Sequence, residues 1–236
     1  SNLERLLAYA QGKGWPAAIK TEVDLCASVL NGEIRNFVDV GGNIGDYSEQ
    51  ILYRYPDAIV TIFEPSSHNC DILRNRFLYK QNVTVIQSAL SDSQGLAHLY
   101  SDKPGAGSAS LSRRNLAHFN TNFSHVEEVS VDRFDSLWSN PEIVIDLIKI
   151  DVEGYELKVL KGMGPLVFNA RAIQFEMGGT NIDTRTFFQD FWYFFLEHDF
   201  IIFRMTPSGL NQITSYREEE EVFVYRNYLA VNNRIL

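Results

Sequence analysis

The chain has 236 residues, 45% of them hydrophobic and 22% charged, enough apolar content for a core and too much for a disordered tract. Lys and Arg number 21 against 30 Asp and Glu, a formal charge of −9, which argues against a nucleic-acid backbone as the main partner. No apolar run approaches the roughly 20 residues that span a bilayer. The first residues lack the basic-then-apolar pattern of a signal peptide, and Cys26 and Cys70 form no CxxC or zinc pattern. The expectation is a cytoplasmic protein with two reduced structural thiols.

In chain order, the first thirty residues read as helical. Leu3, Leu6, Leu7 and Ala10 share one face, and Val23, Ala27 and Leu30 another, until Asn31-Gly32 breaks the pattern. Strands and helices then alternate. Strands are expected at Phe37–Val40, Ala58–Phe63 and Val83–Ile86, with helices to about Tyr53 and from Ser67 to Tyr79 between them. Gly95–Tyr100 and Val126–Val131 read as strands flanking a Gly/Ser-rich stretch, Pro104–Ser110. Further strands follow at Ile143–Ile150, Ala172–Phe175, Phe200–Met205 and Val222–Tyr225, with helices at Tyr155–Lys161 and Thr186–His198. The aromatic stripe Phe188, Phe191, Trp192, Phe195 on the last helix is read as core. This alternation predicts an α/β fold with a mostly parallel sheet and helices on both faces. The last two strands lack a helix between them, which points to antiparallel pairing at the sheet edge.

The strongest local signal is Asp39-Val40-Gly41-Gly42-Asn43-Ile44-Gly45-Asp46, directly between a strand and a helix. Such a turn lets backbone approach a ligand and aims helix N–H groups at it. A dinucleotide-binding GxGxxG would need its first glycine where Val40 stands. The methyltransferase pattern of an acidic residue and alternate glycines fits Asp39, Gly41 and Gly45. Asn43 replaces the middle glycine, a mild change because Asn tolerates left-handed backbone. The next strand ends in Glu64, placed to accept hydrogen bonds from ribose hydroxyls of either NAD or a sulfonium nucleoside. The apolar strand to Ile150 runs into Asp151-Val152-Glu153-Gly154-Tyr155-Glu156. In an open α/β sheet the ligand crevice lies at the carboxyl ends of strands, so Asp151 is aimed at the same cleft as Asp39 and Glu64. Glu153 and Glu156 are expected to begin the next helix, where acidic side chains suit the dipole. Glu176 ends the following strand and should emerge beside Asp151. That pair could hold Mg²⁺, or act without metal as base and hydrogen-bond acceptor; metal is not expected. His118 and His125, in the Gly/Ser-rich insertion, could enter the acceptor pocket, although no histidine pair here has metal spacing.

The run Phe37 to Gly45, then Phe63-Glu64-Pro65, Ser108 to Leu111, and Lys149-Ile150-Asp151-Val152-Glu153-Gly154-Tyr155-Glu156 with Leu160-Lys161-Gly162, resembles the FkbM family of methyltransferases. The likeness covers roughly Arg35 to Gly178. It implies a Rossmann-like class I fold with a mostly parallel seven-stranded sheet and an antiparallel edge strand. Residues 1–33 would be a helical segment on the acceptor side, and 34–236 the methyltransferase domain. The implied cofactor is S-adenosylmethionine, with Asp39, Gly41, Asn43 and Gly45 at its methionine part, Glu64 at the ribose, Ser88, Ala89 and Leu90 by the adenine, and Asp151 near the sulfonium. The implied reaction is O-methylation of a hydroxyl on a sugar, glycoconjugate or secondary metabolite, with Asp151 first and Glu176 second as the base. Oxygen is favoured because Asn/Asp-Pro-Pro-aromatic, a mark of many amino-group methyltransferases, is absent after Ile150. An NAD(P)-dependent oxidoreductase and a non-catalytic nucleotide-binding module are the alternatives. Acceptor walls are expected from the N-terminal helices, from residues 101–125 with Ser108 to Leu111 closing as a lid, and from the segment after Glu176.

Overall fold

A computed structural model describes residues 2–234 except Asn115, Ala117 and Phe119. Two helices, α1 (Asn2–Ala10) and α2 (Ile19–Val29), precede the first strand, β1 (Asn36–Val40). Then follow α3 (Asp46–Arg54), β2 (Ile59–Phe63), α4 (Ser67–Arg76) and β3 (Val83–Ile86). A short β4 (Ala89–Leu90) pairs with a hairpin, β5 (Gly95–Ser101) and β6 (His125–Asp132), to form a separate three-stranded sheet in the order β4-β6-β5. The main sheet resumes after α5 (Phe134–Leu137) with β7 (Ile145–Ile150), α6 (Glu156–Gly162) and β8 (Ala170–Met177). Next come α7 (Thr180–Thr184), α8 (Phe188–Glu197), β9 (Phe200–Thr206), β10 (Gly209–Ile213) and β11 (Arg226–Asn232).

The main sheet has eight strands in the order β10-β9-β11-β8-β7-β1-β2-β3. Strands β3, β2, β1, β7 and β8 run parallel, as strand–helix alternation requires. The last two expected strands do pair antiparallel, as β9 and β11, and the edge strand β10 is antiparallel, but the sheet has one strand more than the seven expected and β11 lies inside it. β11 inserts between β8 and β9 and is antiparallel to both, and β10 adds an eighth strand by folding back on β9. The expected strand at Val222–Tyr225 lies instead at Arg226–Asn232, every residue of which is buried. Polar residues disguise it in the sequence. Arg226, Asn227 and Asn232 are each hydrogen-bonded inside the fold, with Asn232 Nδ2 donating to the Ala170 carbonyl at 3.0 Å.

Each face of the sheet carries its own core. On one face Phe175 stacks on Phe191 at 4.8 Å and on Tyr228 at 5.2 Å, so the aromatic stripe of α8 is packing, as expected. Each such ring is worth roughly 1.5–3 kcal/mol in burial. On the other face Phe37, Leu147, Ala172 and Leu229 pack beneath α2 and α3, whose Val23, Cys26 and Ile51 are fully buried together with Leu30 just after α2. Cys26 and Cys70 are both buried and free. The apolar side of α1 is not covered in the same way, since Leu6 and Leu7 are exposed. Among the described residues, no helix is long and apolar enough to cross a membrane.

Candidate active site

The glycine turn leaves β1 as its pattern predicts. Gly41 has φ +80°, and a Cβ there would stand 2.0 Å from the Asp151 carbonyl oxygen, so the turn and the end of β7 are in backbone contact. Asn43 takes the left-handed conformation at φ +47°. Its N–H donates to Glu64 Oε2 at 2.8 Å, while the Ser66 N–H donates to Oε1 at 2.9 Å. The Glu64 carboxylate is thus clamped between the turn and its own strand end. Burial pushes its pKa up to about 7, against the two N–H donors, which pull it down.

Adjacent strands align a row of polar side chains. Asp39 on β1 lies opposite Lys149 on β7, and Lys149 lies opposite Gln174 on β8. Asp39 is fully buried; Ser48 Oγ donates to its Oδ2 at 2.6 Å, and its Oδ1 has no hydrogen-bond partner among the described residues. Lys149 Nζ stands 4.0 Å from that Oδ1 and donates to Asp151 Oδ2 at 3.1 Å. Burial works against the Lys149 charge, but the two carboxylates outweigh it and raise its pKa above the usual lysine range. Beneath this row, Gln174 Nε2 donates to Glu22 Oε2 at 2.7 Å and its Oε1 accepts from Tyr47 at 2.5 Å. Asn227 Nδ2 also donates to Glu22, at 2.9 Å. Lys149 opens the run that carries the family resemblance, whereas Glu22 on α2, Gln174 and Asn227 carry no motif; an amide side chain inside an apolar strand is itself a signal, because burying one unpartnered is costly.

After β7 the chain turns sharply. Glu153, expected to begin a helix, sits in the turn at φ +55°, and only Glu156 opens α6. Glu156 Oε1 accepts from the Val152 and Gly154 N–H groups at 3.1 and 3.0 Å and so holds the turn from inside. Burial raises the pKa of Glu156 to about 7 and that of Glu153 to about 8, with Asp151 adding to both. Arg114 reaches Glu153 at 3.5 Å and Asp183 at 2.9 Å. Phe175 pairs with Ile150, so Asp151 and Glu176 are the next residues of neighbouring strands. Burial, then Asp151 and Glu153, push the Glu176 carboxyl well above its usual range.

These parts enclose a cavity lined by Gly41, Asn43, Phe63, Glu64, Ser88, Ala89, Leu90, Asp151 and Glu153. Ser88 Oγ is engaged by β6, at 2.9 Å from Asp132 Oδ2, so that residue offers the cavity mainly its backbone. The Gly/Ser-rich stretch is a packed cover. Ala106, Gly107, Ala109 and Leu111 line the same cavity, Ser110 pairs with Tyr100, and Ser110 Oγ donates to the Glu153 carbonyl at 2.8 Å. A second chamber, lined by Ala17, Ile19, Glu22, Lys149, Tyr225 and Asn227, shares Gly41, Asn43, Gly107 and Asp151 with the first. Gly45 closes the turn as the residue before α3, and Asp39 supports the floor without lining either chamber. His118 and His125 line neither. The sequence holds one Tyr-x-x-x-Lys spacing of the dehydrogenase kind, Tyr9 to Lys13, at the end of α1 and outside both chambers. No group of three or more His, Cys, Asp or Glu is disposed to hold a metal ion among the described residues.

A family model described as Methyltransferase FkbM domain matches residues 39–202. Methyltransferase sdnD of Sordaria araneosa is 28% identical over 190 residues, 68% of this chain and 73% of its own length. Methyltransferase 1 of Beauveria bassiana (strain ARSEF 2860) is 27% identical over 159 residues, 60% of this chain and 64% of its own. The plantazolicin methyltransferase BpumL, solved in complex with SAH (S-adenosylhomocysteine), shares the fold with a TM-score of 0.51 at 10% identity, over 98% of this chain and 87% of that one. The family match runs from Asp39 into β9 and takes in the glycine turn, Glu64, Asp151 and Glu176; the chain belongs to the FkbM family of S-adenosylmethionine-dependent methyltransferases.

Proposed function

We propose that this chain methylates a hydroxyl group of a sugar, glycoconjugate or secondary metabolite. The observation that carries the reading is the backbone contact between Gly41 and Asp151, with the clamped Glu64 lining the same cavity. The residues present fit S-adenosylmethionine. The glycine turn sits tightly against the end of β7, the Asp151 and Glu153 carboxylates lining the cavity suit a cationic ligand, and Glu64 keeps lone pairs for ribose hydroxyls. Gly41 and Asn43 would line the methionine end, with Gly45 shaping the turn and Asp39 supporting it from beneath, while Glu64 would form the ribose site and Ser88, Ala89 and Leu90 the adenine wall.

When bound, S-adenosylmethionine supplies the electrophilic methyl group. The protein's part is alignment, exclusion of water and removal of one proton. The second chamber meets the cofactor cavity at Gly41 and Asp151, and we assign it to the acceptor. Its walls come from the N-terminal segment, the Gly/Ser-rich stretch and the chain after Glu176, and its donors and acceptors at Glu22, Lys149, Tyr225 and Asn227 suit a hydroxyl-rich molecule. Asp151 stands at the junction and would take the acceptor proton at Oδ1, while Lys149 holds Oδ2 and fixes the carboxylate plane. Glu176 follows Phe175 as Asp151 follows Ile150 and is the second candidate, although it lines neither chamber.

The test is transfer of a labelled methyl group to a panel of sugars, glycosides and hydroxylated metabolites, with the site of methylation read by mass spectrometry. The expected product is a methyl ether whose formation Asp151→Asn slows by about 10²-fold or more. Methylation confined to nitrogen or carbon would overturn the assignment to oxygen.

A further inference from the structure

The rim of the sheet carries a second polar recess. It is lined by Lys13, Arg204, Arg217 and Arg226 facing Glu219 and Glu220, an excess of cations in a chain whose formal charge is −9. The recess is built rather than incidental. Arg226 is 1% exposed, yet its ion-pair partner, Glu220, stands 3.4 Å away and is shared with Arg204 at 2.9 Å. Tyr228 takes one more Arg226 donor at 3.1 Å. The Nε atoms of both Arg204 and Arg226 are buried without a hydrogen-bond partner among the described residues. One carboxylate thus serves two guanidiniums that together carry ten N–H donors by chemistry. Burying a guanidinium is costly, and leaving its donors unmet adds to that cost. An acceptor with several oxygens would meet them.

The chain also holds the recess open at a defined place. The loop after α1 is fastened to the sheet, because the Gly14 N–H donates to the Tyr225 carbonyl at 2.7 Å, and a Cβ on Gly12 would meet the Met205 carbonyl oxygen at 2.3 Å. That anchoring sets Lys13 over the recess. Tyr225 and Asn227 line the second chamber, whereas Arg226 between them lines the recess, so one strand end serves both.

We propose that this recess is a phosphate-binding site. Planar guanidiniums match a tetrahedral oxyanion through paired N–H groups, and lysine adds a point charge. The phosphate is either carried by a molecule that enters beside the second chamber or is free in solution, and the chemistry of the site is the same for both.

The experiment is calorimetric titration of the full chain with inorganic phosphate at constant ionic strength, repeated for Lys13→Ala, Arg217→Ala and the double variant. Neither residue belongs to the methyl-transfer site, and Arg217 is exposed, so folding should survive. The double variant should weaken phosphate about tenfold or more, while S-adenosylhomocysteine affinity stays unchanged. Arg226→Lys, which keeps the charge but loses the fork, should also weaken it. Competition by glucose 1-phosphate would mark a ligand-borne phosphate; phosphate binding that glucose 1-phosphate does not displace would mark the free ion. Absence of saturable phosphate binding, or binding that the double variant leaves unaltered, would overturn the proposal. Because S-adenosylhomocysteine is titrated alongside, that failure is distinguishable from a failure of the methyltransferase reading.

Discussion

Lys149 donates to Asp151 across 3.1 Å from two residues earlier in the chain, and the same ammonium is the nearest cation to the buried Asp39 at 4.0 Å. One lysine therefore balances carboxylates on two neighbouring strands, at the point where the glycine turn meets the end of β7. Removing one partner of a buried pair leaves an uncompensated charge, which costs about 3–5 kcal/mol. Lys149→Met is expected to lose stability on that scale in urea denaturation and to weaken S-adenosylhomocysteine binding. A loss within about 0.5 kcal/mol, the range of ordinary surface substitutions, would mean that Asp39 is neutral or otherwise compensated.

Stability should fall as pH rises. Burial raises the folded-state pKa of Glu64 to about 7, of Glu156 to about 7 and of Glu153 to about 8, each above the ordinary glutamate value. The folded protein therefore binds more protons than the unfolded chain between those limits. Its unfolding free energy is highest below the unfolded value and declines as pH passes through about 4.5 to 8. Thermal unfolding across that range should show Tm falling toward pH 8, in an opposite sense to the usual salt-bridged carboxylate. S-adenosylhomocysteine should offset part of the decline, because ribose hydroxyls donate best to ionised Glu64, so its affinity should rise through about pH 7. A Tm that climbs steadily from pH 5 to pH 8 would contradict the burial-driven rise of these pKa values.

The cover over the cofactor cavity gives a dynamic prediction. Within residues 102–112 Ala106 and Ser110 are buried, at 7% and 1% exposed, and Ser110 pairs with Tyr100, so part of the expected lid already packs over the cavity. If they close further on ligand, only differential contacts can drive it. Amide exchange across this stretch should slow when S-adenosylhomocysteine is added, and more than it does in α8. Equal exchange with and without ligand would make it a fixed wall.

Much of this was legible in the sequence where pattern and chemistry coincide. The parallel strands announce themselves as apolar runs, and Asp39, Glu64, Asp151 and Glu176 each follow directly from such a run or end one. Asn43 shows the same economy, since its left-handed backbone is what the motif position demands. What stayed hidden depends on pairing across the chain. β11 is buried throughout but reads as polar, because its amides and arginine find partners that are mostly distant in sequence, such as Glu22 for Asn227 and the Ala170 carbonyl for Asn232. Glu153 reads as a helix start, yet Gly154 at φ +103° and the internal hydrogen bonds of Glu156 keep it in a turn. The network from Glu22 to Gln174 spans 152 positions, and no local period encodes it.

The most direct measurement is calorimetric titration of the wild-type chain and of Glu64→Ala with S-adenosylhomocysteine and with NAD. The account predicts one S-adenosylhomocysteine site per chain and no NAD binding. It also predicts a loss of roughly 1.5–3 kcal/mol in the folded Glu64→Ala protein, the scale of charge-assisted hydrogen bonds to the ribose. NAD binding without S-adenosylhomocysteine binding, or an S-adenosylhomocysteine affinity that Glu64→Ala leaves unchanged, would contradict it.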